Sequence, residues 1–249
     1  MNTSKLLMLS YALVFTVLFF TVSEGLAQNY PDWFFEQGKI DCSSLAVGYA
    51  DVSYYPDSSA ARAIQNGYEN FARQRLTKIG GGQAFWSTEG GTFWMGQDFE
   101  DEYDSTNIEG ARLSLAPVDT FMTNSMMAVL VGASNCQPAQ GFRIRDSISS
   151  RASPAWIESS PSGENHHYAI GIAPEYFYEK SSWLEAERLA RRNLARAIRI
   201  DVMALQKMSK EGQEIRHEEV SETLRNIQTV ARWRDFRKKI FYVLVRMPK

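Results

Sequence analysis

The chain has 249 residues, 44% of them hydrophobic and 22% charged, with a net charge of −2. This composition excludes a disordered or collagen-like chain and is enough for a real core, in one large domain or two small ones. The charge is uneven: residues 28–150 hold 15 acids and 8 bases, and residues 151–249 hold 13 acids and 18 bases. Halves of opposite sign can dock on each other, or the basic half can meet an anionic surface.

In chain order, the first segment reads as a secretory signal. Lys5 precedes an apolar run over residues 6–22, and Gly25 and Ala27 are the small residues a signal peptidase reads. Cleavage is expected between Ala27 and Gln28. No later stretch is apolar enough to span a bilayer, so no transmembrane segment is expected after cleavage. Cys42 and Cys136 remain, an even number that permits one disulfide in an exported chain.

Two blocks then repeat at a constant shift. Trp33, Gly48, Ser58, Ser59, Asn70 and Arg73 fall on Trp156, Gly171, Ser181, Ser182, Asn193 and Arg196. Each block reads as a strand with a central glycine, followed by a helix. The glycine marks a bulge or a close neighbour. Ala63, Gly67, Phe71 and Ile79 form a helical stripe that recurs as Ala186, Ala190, Leu194 and Val202. The first helix is expected to stop at Gly80, Gly81 and Gly82, and the second to run over residues 181–209. Asp57 to Ser59 and Ser181 with Ser182 look like N-cap residues, with Ser182 and Glu185 at capping-box spacing.

Beyond the helices, residues 84–88 and 92–95 read as a hairpin peculiar to the first copy. Residues 126–133 and 240–247 read as buried strands, and residues 230–236 as the partner of the last one. Residues 96–107 look like an acidic loop. The predicted fold is α+β: two tandem β-α-β-β units, each a helix packed on a small mixed or antiparallel sheet. Residues 28–146 form the first unit, 147–153 a linker and 154–249 the second. A right-handed crossover leaves room for the last strand between the other two, antiparallel to the first. That places Cys42 near Cys136 and predicts their disulfide.

The succession P-x-W, A-[VI]-G-[YI]-A, N-x-A-R and a terminal V-L-V resembles the Lpp-twenty lipoprotein family. The second copy is the closer match. The resemblance implies an exported envelope protein of a bacterium with an outer membrane, whose small α+β domains serve association and carry no established catalytic residues. Family members are often lipidated at a cysteine directly after the signal, where this chain has Gln28.

Signals for chemistry are weak. His166, His167 and His217, with Glu218 and Glu219, are the conceivable metal ligands, but adjacent strand residues point to opposite faces. Asp98, Glu100, Asp101, Glu102 and Asp104 lack the ligand pattern of a calcium loop. The glycine triplet has no following Lys-Ser/Thr to cradle phosphate. No catalytic residue, metal or cofactor is expected. Arg188, Arg192, Arg196 and Arg199 form a basic stripe on the second helix and are the expected binding surface. The sequence thus predicts a non-enzymatic protein of the periplasm or outer-membrane face, whose partners are envelope proteins or an anionic outer-membrane surface rather than nucleic acid. The alternative is an exported hydrolase or glycan-binding protein that uses Phe85, Trp86, Phe93 and Trp94 with the acidic segment.

Overall fold

The computed structural model describes residues 30–42, 44–88, 91–136, 153–198, 207–208 and 214–249, and of residues 83–88, 91–97, 207–208 and 214–219 the backbone alone. The expected signal segment, residues 147–152 of the expected linker, Arg199 and Val202 lie outside the described residues. So do the side chains of Phe85, Trp86, Phe93, Trp94, His217, Glu218 and Glu219.

The molecule is α+β. Its elements are α1 (Asp32–Phe35), β1 (Leu45–Asp51), α2 (Pro56–Arg75), β2 (Leu76–Thr88), β3 (Gly91–Gln97), β4 (Glu100–Tyr103), α3 (Asn107–Ser114), β5 (Ala116–Met122) and β6 (Met126–Gly132). They continue with β7 (His166–Pro174), α4 (Glu179–Ile198), β8 (Lys207–Met208), β9 (Glu214–Arg225), β10 (Gln228–Asp235) and β11 (Ile240–Pro248).

Two antiparallel three-stranded sheets have the same plan, β1-β6-β5 and β7-β11-β10, with the last strand in the middle. Gly48 faces Val129 across β1 and β6, and Gly171 faces Val243 across β7 and β11. Each glycine lets a helix touch the strand backbone. A Cβ on Gly48 would stand 1.9 Å from the Ala63 carbonyl oxygen and 2.3 Å from the Gly67 nitrogen. On Gly171 it would stand 1.9 Å from the Ala186 oxygen and 2.3 Å from the Ala190 nitrogen.

The other repeated polar residues complete the same joint. Asn70 Nδ2 donates to the Val47 carbonyl, and Asn193 Nδ2 to that of Ile170, both at 2.8 Å. Ser59 Oγ accepts the backbone N–H of Ser53, and Ser182 Oγ that of Tyr176. The serines thus fasten the preceding loops and do not cap the helices. The helices start earlier, at Pro56 and Glu179, and Glu185 is held by Arg188 and not in a capping box. Pro56 suits a first turn, whose N–H would have no partner within the helix.

The glycine triplet lies inside a strand. α2 ends at Arg75, and β2 begins at once with Leu76 and Thr77. Gly81 has φ +109°, and a Cβ there would stand 2.5 Å from the Asp98 carbonyl oxygen. Here the edge of β2 changes partner from β4 to β3, and Asp98 closes the gap by accepting from the Gly82 N–H at 2.7 Å. The other edge of β2 pairs with β9 from Leu76↔Arg225 to Ser87↔Glu214. The two repeats therefore share a sheet and are not separate bodies on a linker. Lys207–Met208 is strand, so the second helix does not reach residue 209.

β6 is buried along its whole length, on both faces. Val129 and Val131 meet Ala63 on the α2 side, whereas Met126, Ala128 and Leu130 join the larger core with Trp183, Leu194 and Phe241. Tyr30, Trp33, Phe34 and Phe35 fill that larger core from the N-terminal side. Phe34 meets Tyr49, Phe121 and Trp183 edge to face, and Phe35 lies against Trp233. Edge-to-face packing matches positive ring edges to negative faces. Among the described residues no helix is long and apolar enough to cross a membrane. Cys42 and Cys136 are joined as a disulfide, with Cα atoms 5.2 Å apart.

Candidate interaction surface

The expected basic stripe is largely turned inward. Arg192 has only 6% of its side chain exposed; its Nε donates to Asp101 Oδ1 at 2.7 Å and its Nη2 to the Phe99 carbonyl at 2.8 Å. Arg192 is therefore a clamp between α4 and the β4 segment, not a surface contact. Arg188 is more open but binds Glu185 one turn away through two nitrogens, and Arg196 is half-buried and partnered. The acidic stretch that seemed a loop is strand β4, whose alternation sends Asp101 inward and leaves Glu100 and Glu102 exposed. Asp104 accepts from Thr106 through both its backbone N–H and its hydroxyl, which holds its carboxyl below the usual range.

A second polar centre, which the sequence did not suggest, lies where the repeats meet. Arg232 on β10 is fully buried. It donates to Glu187 Oε1 at 2.8 Å, Gln37 Oε1 at 2.7 Å and the Phe34 carbonyl at 3.1 Å. Tyr49 on β1 donates to the same Glu187 oxygen at 2.7 Å. Burial alone would lower the Arg232 pKa, but the Glu187 carboxylate opposes it, and the net direction is upward. Burial raises the Tyr49 pKa, so the phenol stays a neutral donor. Nearby, Tyr30 donates to Glu179, which also accepts from Ser125 at 2.8 Å and Thr123 at 3.2 Å. These groups fasten one repeat to the other. Sequence alternation alone would have exposed Arg232; the signal for its burial is Glu187 inside an otherwise apolar helix stripe.

His166 and His167 sit half-buried at the start of β7, paired with Pro248 and Met247. Among the described residues no group of three or more His, Cys, Asp or Glu side chains is placed to hold a metal. A shallow cleft near the disulfide, open to solvent, is lined by Gln37, Phe71, Arg75, Asn226 and Arg246. Its two cations bond to neutral amides, Arg75 to Asn226 and Arg246 to Gln228.

The opposite end of the molecule is different. Four connections meet there: β1–α2, β5–β6, β7–α4 and β10–β11. Lys180 pairs with Asp51 at 2.5 Å, Ser125 bonds Glu179, and the Glu175 N–H donates to the Lys239 carbonyl at 2.9 Å. Exposed aromatics crown this end. Tyr54 is 92% exposed beside Tyr55, and at the equivalent place in the second repeat Phe177 is 92% exposed beside Tyr178. Each pair stands edge to face, with centroids 5.2 and 4.9 Å apart. Tyr176 and Met122 add further exposed apolar surface. These side chains make this end the candidate interaction surface.

Comparison with protein-family models, with curated proteins and with solved structures finds no match for this chain. The described residues form an α+β protein with a doubled helix-on-sheet joint and an end that carries exposed aromatics.

Proposed function

We propose that this is a non-enzymatic cell-envelope protein of the Lpp-twenty type, exported and acting by association with envelope proteins or the outer-membrane surface. The observation that carries the reading is the contrast between the two ends of the chemistry. The charged side chains at the centre, Arg232, Glu187, Arg192 and Asp101, are occupied in holding the molecule together. Among the described residues, six of the eight large apolar side chains left in solvent, Tyr54, Tyr55, Met122, Tyr176, Phe177 and Tyr178, stand at one end, whereas Leu113 on α3 and Ile172 on β7 do not. Export rests on the apolar run of residues 6–22 and the Gly25 and Ala27 pattern. The disulfide between Cys42 and Cys136 suits an oxidising compartment.

Expression of the full chain in a bacterium with an outer membrane, followed by fractionation and N-terminal sequencing, tests this. The expected product begins at Gln28 and is recovered with the envelope. An uncleaved chain in the cytoplasm contradicts the reading.

A further inference from the structure

We propose that the aromatic end docks on an anionic lipid bilayer, with Tyr54, Tyr55, Phe177 and Tyr178 entering the headgroup region and Arg237, Lys238 and Lys239 meeting the lipid charges. The proposal deepens the association reading and rests on it, because it names the partner and the surface. Three observations carry it. The first is the shape of the aromatic surface. A ring that is 92% exposed touches almost nothing of its own protein, so Tyr54 and Phe177 stand out from loop tips and line no groove. A projecting ring is suited to a yielding phase, and tyrosine and phenylalanine favour the bilayer interface. Within each pair the rings are perpendicular, at 89° and 90°, so neither makes the flat platform on which a sugar ring stacks.

The second is doubling. Both repeats present an aromatic pair at the same place, directly before the helix, and the Lys180–Asp51 pair brings the two loops to one end. Two anchors at one end fix an orientation that one anchor could not.

The third is charge. The β10–β11 turn supplies Arg237, Lys238 and Lys239, all exposed and tied to the Phe177 loop through the Glu175–Lys239 backbone bond. Lys238 and Lys239 are 71% exposed, and exposed Arg62, in the second turn of α2, reaches back to the Asp51 carbonyl beside the other loop. The acids at this end are Asp51, Asp57, Glu175, Glu179 and Asp235. Glu179 is buried; Asp51 pairs with Lys180 and Asp235 with Lys238. Glu175 pairs with Arg234 and Lys239. Burial opposes ionisation of Glu175, but Arg234 and Lys239 outweigh it and hold its carboxyl below the usual range. Asp57, in the first turn of α2, is exposed. The outermost charges are therefore mainly cations, the sign that attracts an anionic leaflet.

The test is co-sedimentation of the purified protein with protein-free vesicles of phosphatidylcholine, with and without phosphatidylglycerol. Binding is expected to the phosphatidylglycerol vesicles and to weaken with salt. Replacing Tyr54, Tyr55, Phe177 and Tyr178 together by serine is expected to reduce binding on the order of a hundredfold. Replacing Arg237, Lys238 and Lys239 together by glutamine is expected to reduce it by a similar factor and remove the salt dependence. All seven side chains are exposed, so both variants should keep the wild-type melting temperature. No binding to either vesicle, or binding unchanged in both variants, overturns the proposal. Binding to envelope proteins but not to lipid overturns it while leaving the association reading intact. Failure of export in the fractionation experiment removes that reading by itself.

Discussion

At the scale of single residues, the repeat is a set of contacts between one helix and one strand. Gly48 and Gly171 were legible as positions where something comes close, because glycine inside an apolar strand has few other uses. What comes close is a helix backbone, which cannot retreat as a flexible side chain would. Gly48→Ala and Gly171→Ala are each expected to cost about 3 kcal/mol or more, the upper range of overpacking, read from urea unfolding. The asparagine of N-x-A-R was visible only as a matching letter. Its bond to the strand carbonyl needs the fold before it can be seen. Asn70 is buried and Asn193 exposed. Asn70→Ala is therefore expected to cost about 2 kcal/mol and Asn193→Ala clearly less, because the unmet carbonyl at the exposed site can bind water. Equal costs would show that burial does not set the difference. Arg232 was not legible from its own strand: alternation places an arginine of β10 outside, and the one hint of a buried cation is Glu187 within the apolar stripe of α4. Arg232→Met is expected to destabilise by about 3–5 kcal/mol by leaving Glu187 without its cation, and the further change Glu187→Leu to recover much of that loss.

At the scale of elements, long apolar runs and the central position of β6 followed from sequence pattern, and polar or glycine-rich strands did not. β2 contains three consecutive glycines, and β9 reads EIRHEEVSETLR, with no clean alternation. Each is a strand because the other pairs with it over twelve residue positions, a long-range cause that no local window contains. The same pairing explains why the first helix stops before the glycines. The disulfide ties the stretch before β1 to the stretch after β6, closing a separation of 94 residues. Loop closure of that length is worth about 2–5 kcal/mol. Replacing both cysteines by serine is expected to lower the melting temperature of the oxidised protein markedly and to make it insensitive to reductant. Unchanged melting would contradict a structural role.

At the scale of the whole molecule, the opposite charges of the two halves were legible, and one of their meeting points is Arg192 with Asp101. The fusion of the halves was not legible, because it depends on the N-terminal aromatics, Arg232 and the β2–β9 pairing together. Residues 154–249 alone would lose Tyr49, Tyr30, Gln37 and the whole of β2. They are expected to show no cooperative unfolding transition by circular dichroism, whereas a sharp transition would show an independent domain. Fusion also fixes the two aromatic loops relative to each other, so the molecule presents one end to a partner. The most direct measurement of that claim is hydrogen exchange of the protein with and without phosphatidylglycerol vesicles. Slowed exchange confined to residues 52–55, 122–125, 175–178 and 236–239 is the predicted result; protection centred on the exposed face of α4, or no protection anywhere, would contradict it.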